Sequence, residues 1–243
     1  MRKLLLITII LIVSWFIWQR SILPREEIDL LKNCYIGYEL DKGHVQYRVT
    51  DEPPDSWVDI ADLSATTVQS LLISEDPHFW GHNGIKYDKL LEAIFETVFQ
   101  GKKIRGHSSI TQQFAKNYFL TPERTLRRKI KEAVITWELE NELTKLRLVE
   151  LYINIVQFAD GTYGLSDGAC YYFDKPAADL TPIEAIYLCS LLPNPMVFSE
   201  GYRDGATTHR DEAAIDRVLK RLYKQKIISC EVYEEQLITP LVF

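Results

Sequence analysis

At 243 residues the chain has room for one sizeable hydrophobic core and no second large domain, so a single catalytic module is expected. Its formal charge is −6, yet nine lysines and arginines between Gly101 and Lys131 stand against one acid, Glu123, which makes that stretch +8 and the remainder −14. Such asymmetry argues against general nucleic-acid affinity and points to an anionic partner met locally, the plainer alternative being a solvated helix face.

The chain opens with an apolar run from Leu4 to Trp18 in which only Thr8 and Ser14 are polar, preceded by Arg2 and Lys3. It reads as a membrane segment. Fifteen residues at about 1.5 Å each fall short of a hydrocarbon layer of about 30 Å, so residues through Leu23 must complete the span. A secretory leader is the rival reading. Against it, Ser14 to Arg20 offers no small-x-small cleavage site, and Trp15 and Trp18 suit the membrane interface. Residues 1–23 are therefore expected to anchor the chain in the cytoplasmic (inner) membrane, with the N-terminus inside the cell and the body outside.

Residues 24–56 are polar and broken, ending in Asp51-Glu52-Pro53-Pro54-Asp55, and read as a linker. The body, 57–243, is then expected to begin near Trp57. From there the periodicity is helical almost throughout. Tyr87, Leu90, Leu91, Ile94, Phe95, Val98 and Phe99 make an amphipathic helix ending at Gly101. Thr121-Pro122 predicts the start of another, with Leu126, Ile130, Ala133, Val134 and Trp137 as its buried stripe. Thr181-Pro182-Ile183-Glu184 is a capping box opening an apolar helix to Leu192, stopped by Pro193, and a last helix spans roughly Asp211 to Ile228. No segment shows sustained strand alternation, so the fold is expected to be mainly α-helical. Cys34, Cys170, Cys189 and Cys230 lack any C-x-x-C spacing, which argues against zinc; buried free thiols are expected, Cys189 above all.

Two segments carry the chemistry. Ser74-Glu75-Asp76-Pro77-His78-Phe79-Trp80-Gly81-His82-Asn83-Gly84 resembles the ED-x-x-F-x-x-H-x-G motif of the peptidoglycan glycosyltransferases that polymerise lipid II. Gly106-His107-Ser108-Ser109-Ile110-Thr111-Gln112-Gln113-Phe114-Ala115-Lys116-Asn117 resembles their G-x-S-T-I-T-Q-Q-x-x-K-N motif. Three further blocks follow in the family's order: Arg128 to Glu132, Lys145 to Asn154, and Gly161 to Phe173. Together they cover roughly Trp57 to Phe198.

The resemblance implies a lysozyme-like, two-lobed domain whose smaller lobe faces the membrane, with the segment from Tyr87 to Arg105 falling there. A plain core-facing stripe is the alternative for that helix. If the lobe meets the bilayer, Lys102, Lys103 and Arg105 would meet anionic headgroups. The expected partners are lipid II, the growing glycan chain and the membrane, with cell-wall synthesis proteins as candidates and nucleic acid excluded.

The resemblance also assigns roles. Glu75 matches the general base, and Glu132 the second essential carboxylate, which positions or stabilises the departing group with a divalent cation (Mg or Mn). Lys116 and Arg124 match contacts to the donor's diphosphate, Arg128 and Lys129 add positive field, and Ser108, Gln112, Gln113 and Asn117 match polar residues of the sugar and phosphate cleft. Asp76 and His82 read as loop-organising residues, and Glu150, Tyr152 and Asn154 as a brace behind the cleft. Phe79 and Trp80 are placed to desolvate Glu75 and raise its pKa.

Elementary chemistry agrees with these residue types. Diphosphate is a good leaving group that needs positive charge far more than a proton donor, whereas a glycoside hydrolase must protonate a poor alkoxide through a second carboxylic acid. Arg124, Arg127, Arg128 and Lys131 share one face of a helix, opposite Leu126, Ile130 and Trp137. Glu132 stands four residues after Arg128, so an ordinary ion pair on a wet helix is the plain alternative.

The chain departs from the family pattern in the fifth block, where Ser166 and Asp167 replace Glu and Ala. His107 also stands where a small residue is usual, and Ser109 replaces Thr. No serine is followed by lysine three positions later, so a transpeptidase nucleophile is not expected. Two readings compete with an inverting, monofunctional glycosyltransferase: a lytic transglycosylase or muramidase on the same fold, and a non-catalytic module that binds lipid II or a divisome partner.

Overall fold

The computed structural model describes residues 23–85, 108–123 and 125–243. The expected anchor from Leu4 to Trp18, the expected helix from Tyr87 to Phe99, the cations Lys102, Lys103 and Arg105, and also His107 and Arg124 lie outside the described residues. Among the described residues no helix is long and apolar enough to cross a membrane.

The architecture is mainly α-helical. A short α1 (Arg25–Leu30) leads into a hairpin of β1 (Tyr35–Asp41) and β2 (His44–Thr50), then α2 (Ala65–Glu75). After the undescribed stretch come α3 (Ile110–Phe119), α4 (Leu126–Glu142) and α5 (Lys145–Ile153). A small ribbon of β3 (Gln157–Ala159) and β4 (Thr162–Tyr163) precedes α6 (Leu165–Phe173) and α7 (Pro182–Leu191). The chain closes with α8 (Pro195–Phe198), α9 (Glu200–Asp204), α10 (His209–Lys224) and α11 (Cys230–Ile238).

Helix α7 is the axis of the core. Every residue from Ile183 to Leu191 is buried, the apolar run from Ala185 to Cys189 together with the polar Glu184 and Ser190. Thr181 and Glu184 form the expected capping box at its start, of a kind whose loss costs about 1 kcal/mol. Helices α2 and α10 pack on α7, and Ile73, Ile186, Ile215, Leu219 and Leu222 fill the space among them. Phe79, Phe114, Tyr152, Phe158 and Tyr187 are fully buried in the main core.

Four expectations are corrected. First, 24–56 is not a linker: Leu23, Ile28, Leu31 and Ile36 enter the main core, and β1 pairs with β2 from Tyr35↔Thr50 to Asp41↔His44. Lys42 and Gly43 join the strands with φ of 51° and 81°, the two left-handed residues that a tight hairpin turn demands. Second, α4 begins at Leu126 under a cap from Thr125 rather than at Pro122. Third, the expected buried stripe of α4 is buried only in part: Leu126, Ile130 and Trp137 are exposed and Val134 packs against the core, while Glu132, Ile135, Thr136 and Leu139 are buried. Ile135 and Leu139 fall on the same side of the helix as Arg128, so one face supplies cations to the cleft at its N-terminal end and apolar side chains to the core further on. Fourth, the last helix is α11, because Thr208 and Asp211 cap α10 from His209, and Gln225 ends it before Ile228.

The four cysteines are free thiols; Cys189 is buried as expected, whereas Cys170 and Cys230 are exposed.

Candidate active site

Glu75 is the last residue of α2, delivered to the site by a helix whose Leu71 and Leu72 are locked in the core. The Gln113 amide on α3 donates through Nε2 to Glu75 Oε2 at 2.7 Å. Gln113 is oriented in turn by Tyr152 of α5, whose hydroxyl donates to Gln113 Oε1 at 3.1 Å. The Tyr152 side chain is fully buried, and desolvation raises its pKa well above that of an ordinary phenol, with Glu75 and Cys189 adding to the effect. It therefore stays a neutral donor. A phenol that donates to the amide oxygen leaves the amide N–H pointing at the carboxylate, which makes Tyr152, Gln113 and Glu75 one oriented chain.

Asp76 serves a different purpose. Its fully buried carboxylate accepts from the Ile110 backbone N–H at 3.2 Å and lies 3.0 Å from His82 Nε2. The other ring nitrogen of His82, Nδ1, accepts from Gly84 N–H at 3.0 Å, which fixes the tautomer with its proton on Nε2. The pair ties the loop after α2 to the start of α3. Gly84 has φ +73°, and a Cβ there would come within 2.8 Å of Thr136 and 2.7 Å of Glu140, so the loop can pass α4 only as glycine. Phe79 is buried beside this turn under Lys145, whose ammonium lies 4.2 Å from the ring centroid, while Trp80 is half exposed.

On α4, the carboxylate of Glu132 is 1% exposed. Arg128 donates to its Oε2 at 2.7 Å, and Lys129 donates to its Oε1. Lys129 also reaches Ser108 Oγ at 3.2 Å, and the Arg128 Nε–H is buried without a hydrogen-bond partner. Lys116, on α3, feels the charges of this group: desolvation lowers its pKa, Glu132 opposes that, Arg128 and Lys129 add to it, and Glu75 opposes it. The Lys116 side chain as a whole remains exposed, which limits the effect.

A cavity of about 560 Å³ lies within the range of roughly 300–1,000 Å³ usual for ligand pockets. Gln113, Lys116, Asn117 and Arg128 line one part of it. Four of the residues expected in the site thus share one cavity, and Gln113 carries that cavity to Glu75. Ser108 joins through Lys129, and Arg124 lies outside the described residues. Gln112 does not line the cleft. It is buried, and its Oε1 accepts from Ser109 N–H at 3.1 Å while Ser109 Oγ accepts from Gln112 N–H, so this side chain is consumed in capping α3.

Among the described residues, those around Glu132 fit a metal poorly. Both oxygens of Glu132 are engaged by cations, and no group of three or more His, Cys, Asp or Glu among the described residues could hold an ion.

Three contributors escaped the sequence reading. Glu140, with its side chain 5% exposed, accepts from Thr111 and Lys145 and so clamps α3 and α5 to α4. Val45 and Tyr47 of β2 line the same cavity. Asn154 accepts from Val58 N–H and donates to Val58 O, both at 2.8 Å, and Glu150 accepts from Ile60 N–H at 3.0 Å, which ties α5 to the segment before α2.

Comparison with known proteins gives this geometry a family. A model of the family described as Transglycosylase matches residues 42–222. The biosynthetic peptidoglycan transglycosylase of Alcanivorax borkumensis is 35% identical over 195 residues, 80% of this chain and 76% of that protein. Its namesake in Acinetobacter baumannii is 34% identical over 200 residues, 82% of this chain and 84% of that one. Among solved structures, penicillin-binding protein 1A from Haemophilus influenzae aligns with a TM-score of 0.41 at 19% identity, over 76% of this chain and 17% of its own. The match to the family model and the two long relatives place the chain in the transglycosylase family.

Proposed function

We propose that the chain is a peptidoglycan glycosyltransferase that builds β-1,4 glycan strands from lipid II, inverting the anomeric carbon and releasing undecaprenyl diphosphate. The observation that carries this reading is the link through Gln113 between Glu75 and a cavity lined by Lys116 and Arg128.

Glu75 takes the proton from the acceptor sugar's 4-hydroxyl as that oxygen attacks the donor's anomeric carbon. The bond from that carbon to the diphosphate breaks, and its electron pair leaves on the diphosphate. Lys116 and Arg128 meet the charge that develops there, which fixed cations stabilise more strongly in the transition state than in the ground state. Glu132 holds the cations: its carboxylate accepts from both and fixes where Arg128 and Lys129 point. No step is routed through a metal.

The same arrangement argues against hydrolysis of glycan by a pair of carboxyl groups. A hydrolase needs a second carboxylic acid to protonate its leaving group, and Glu132 is committed to two cations. The expected anchor at Leu4 to Trp18 and a location outside the cytoplasmic membrane remain part of the proposal, since lipid II is membrane-bound. With no S-x-x-K serine in the chain, the activity is glycosyl transfer without transpeptidation. The test is to incubate the protein separately with lipid II and with isolated cell-wall sacculi. Polymer from the first supports the proposal; soluble muropeptides from the second, with no polymer from the first, would overturn it.

A further inference from the structure

We infer that Phe243 and Arg210, both remote from the reacting groups, are positioning residues that hold the corner made by α8 and α9 against the cavity, an inference that rests on the transfer reaction proposed above. Leu192 and Pro195 line the cavity, and α8, which opens at Pro195, packs on β3. The corner is poorly built to hold itself. Its two helices have only four and five residues, and helices of one turn do not persist without tertiary support. Their support comes from α10 and from the residues that follow α11.

On one side, the Arg210 guanidinium of α10 lies 3.4 Å from the centroid of the Phe198 ring, a cation over an aromatic face. The same side chain donates to the Ser190 carbonyl at 2.6 Å and to Asp211 at 3.2 Å, and the buried Asp211 carboxylate accepts from Thr208 in the cap of α10. Arg210 thus pins α8 to the end of α7.

On the other side, burial alternates along the residues after α11, with Thr239, Leu241 and Phe243 partly buried and Pro240 and Val242 exposed. That is the period of an extended strap laid on a surface. Leu241 packs against both core clusters. The Phe243 ring sits among three others: Tyr187 of α7 at 5.1 Å, Phe173 of α6 at 6.1 Å and 12° from parallel, and Tyr202 of α9 at 5.4 Å and edge-on. Tyr202 in turn donates to the Tyr171 carbonyl at 3.0 Å, so α9 is held between the strap and α6. Arg203 donates to the Met196 carbonyl at 3.2 Å and to Ser199 Oγ at 2.7 Å, which makes the two short helices one body. Contacts therefore run without a break from Phe243 through Tyr202 and Arg203 to α8 and the cavity wall at Pro195. A wall that shifts weakens binding in the ground state and the transition state alike, so loosening the corner raises KM and spares kcat.

The experiment compares Phe243→Ala, which removes the ring, with Arg210→Lys, which keeps the charge and loses the planar fork. On the full chain, steady-state polymerisation of lipid II is measured together with backbone amide hydrogen exchange. Each variant should raise KM by roughly threefold to tenfold with kcat within about twofold, and exchange should quicken from Met196 to Gly205 while that of α7 stays as it was. Phe243→Tyr, which keeps the ring, should restore both. A variant that is merely less well folded lowers apparent kcat, leaves KM alone and quickens exchange throughout. Either sign missing in both variants, the raised KM or the local exchange, overturns the inference while leaving the transfer reaction standing. Absence of polymer from the unaltered protein would instead overturn the proposed function, whatever the exchange shows.

Discussion

The Gln113 side chain joins the cavity at Lys116 to the carboxylate of Glu75 by donating across 2.7 Å, and Tyr152 sets which way that amide faces. A base held by a donor keeps its carboxylate pointed at its target, so Gln113→Ala should cost turnover before it costs stability. Loss of one such bond, at about 1–3 kcal/mol, corresponds to roughly a tenfold to hundredfold fall in kcat. Tyr152→Phe should act through Gln113. Its effect on kcat should therefore largely disappear in a Gln113→Ala background, and steady-state kinetics of the two single variants and the double variant measure that coupling directly.

Glu132 makes a different demand. With its carboxylate 1% exposed between Arg128 and Lys129, its removal leaves two largely buried cations repelling each other. Glu132→Ala is expected to lower unfolding free energy by about 3–5 kcal/mol, measured by urea denaturation. Replacing Arg128 along with it should recover part of that loss.

The alkaline limb of the pH–rate profile should belong to Lys116. Desolvation lowers its pKa from the ordinary 10.5, so the cleft loses a positive charge as pH rises through that lowered value. Activity should therefore fall at a lower pH than an ordinary lysine would dictate. The sign for stability is opposite: the charged form is disfavoured in the folded state, so that cost is present at neutral pH and is relieved as Lys116 deprotonates. Lys116→Arg keeps its charge throughout and should move the limb upward.

Tyr38 and Asp167 act as one unit across 2.6 Å. Tyr38→Phe and Asp167→Ala should each lower stability by about 1 kcal/mol, and the double variant should lose little more than either alone. Thermal melts of the three proteins check this.

Much of the site was legible because its residues sit in short, ordered blocks. The segments from Glu75 to His82 and from Ser108 to Asn117 supply both sides of the Glu75–Gln113 and Asp76–Ile110 contacts, the block from Arg128 to Glu132 supplies the ion pairs, and α7 announces itself by a capping box and the apolar run from Ala185 to Cys189. The hairpin was missed because Val45, Tyr47 and Val49 alternate with polar residues over only a few positions and its outer face is solvated; its partners Ile155 and Asp167 lie more than a hundred residues away. The outward stripe of α4 was misassigned for a related reason. Leu126, Ile130 and Trp137 look like a core face, whereas the face that enters the core carries Glu132 and Thr136, polar residues satisfied by Arg128, Lys129 and a bond from Thr136 Oγ1 to the Glu132 carbonyl. Gln112 and Gln113 are adjacent and chemically identical, and only the fold decides that one caps a helix while the other reaches Glu75.

The central claim is that a single carboxylate, Glu75, removes the acceptor proton opposite a set of fixed cations. The most direct measurement is turnover of lipid II by Glu75→Gln alongside its affinity for lipid II. Loss of a general base predicts a fall in kcat of roughly 10²–10⁴-fold with binding nearly unchanged. Substantial remaining turnover in a protein that binds lipid II as tightly as before would contradict it.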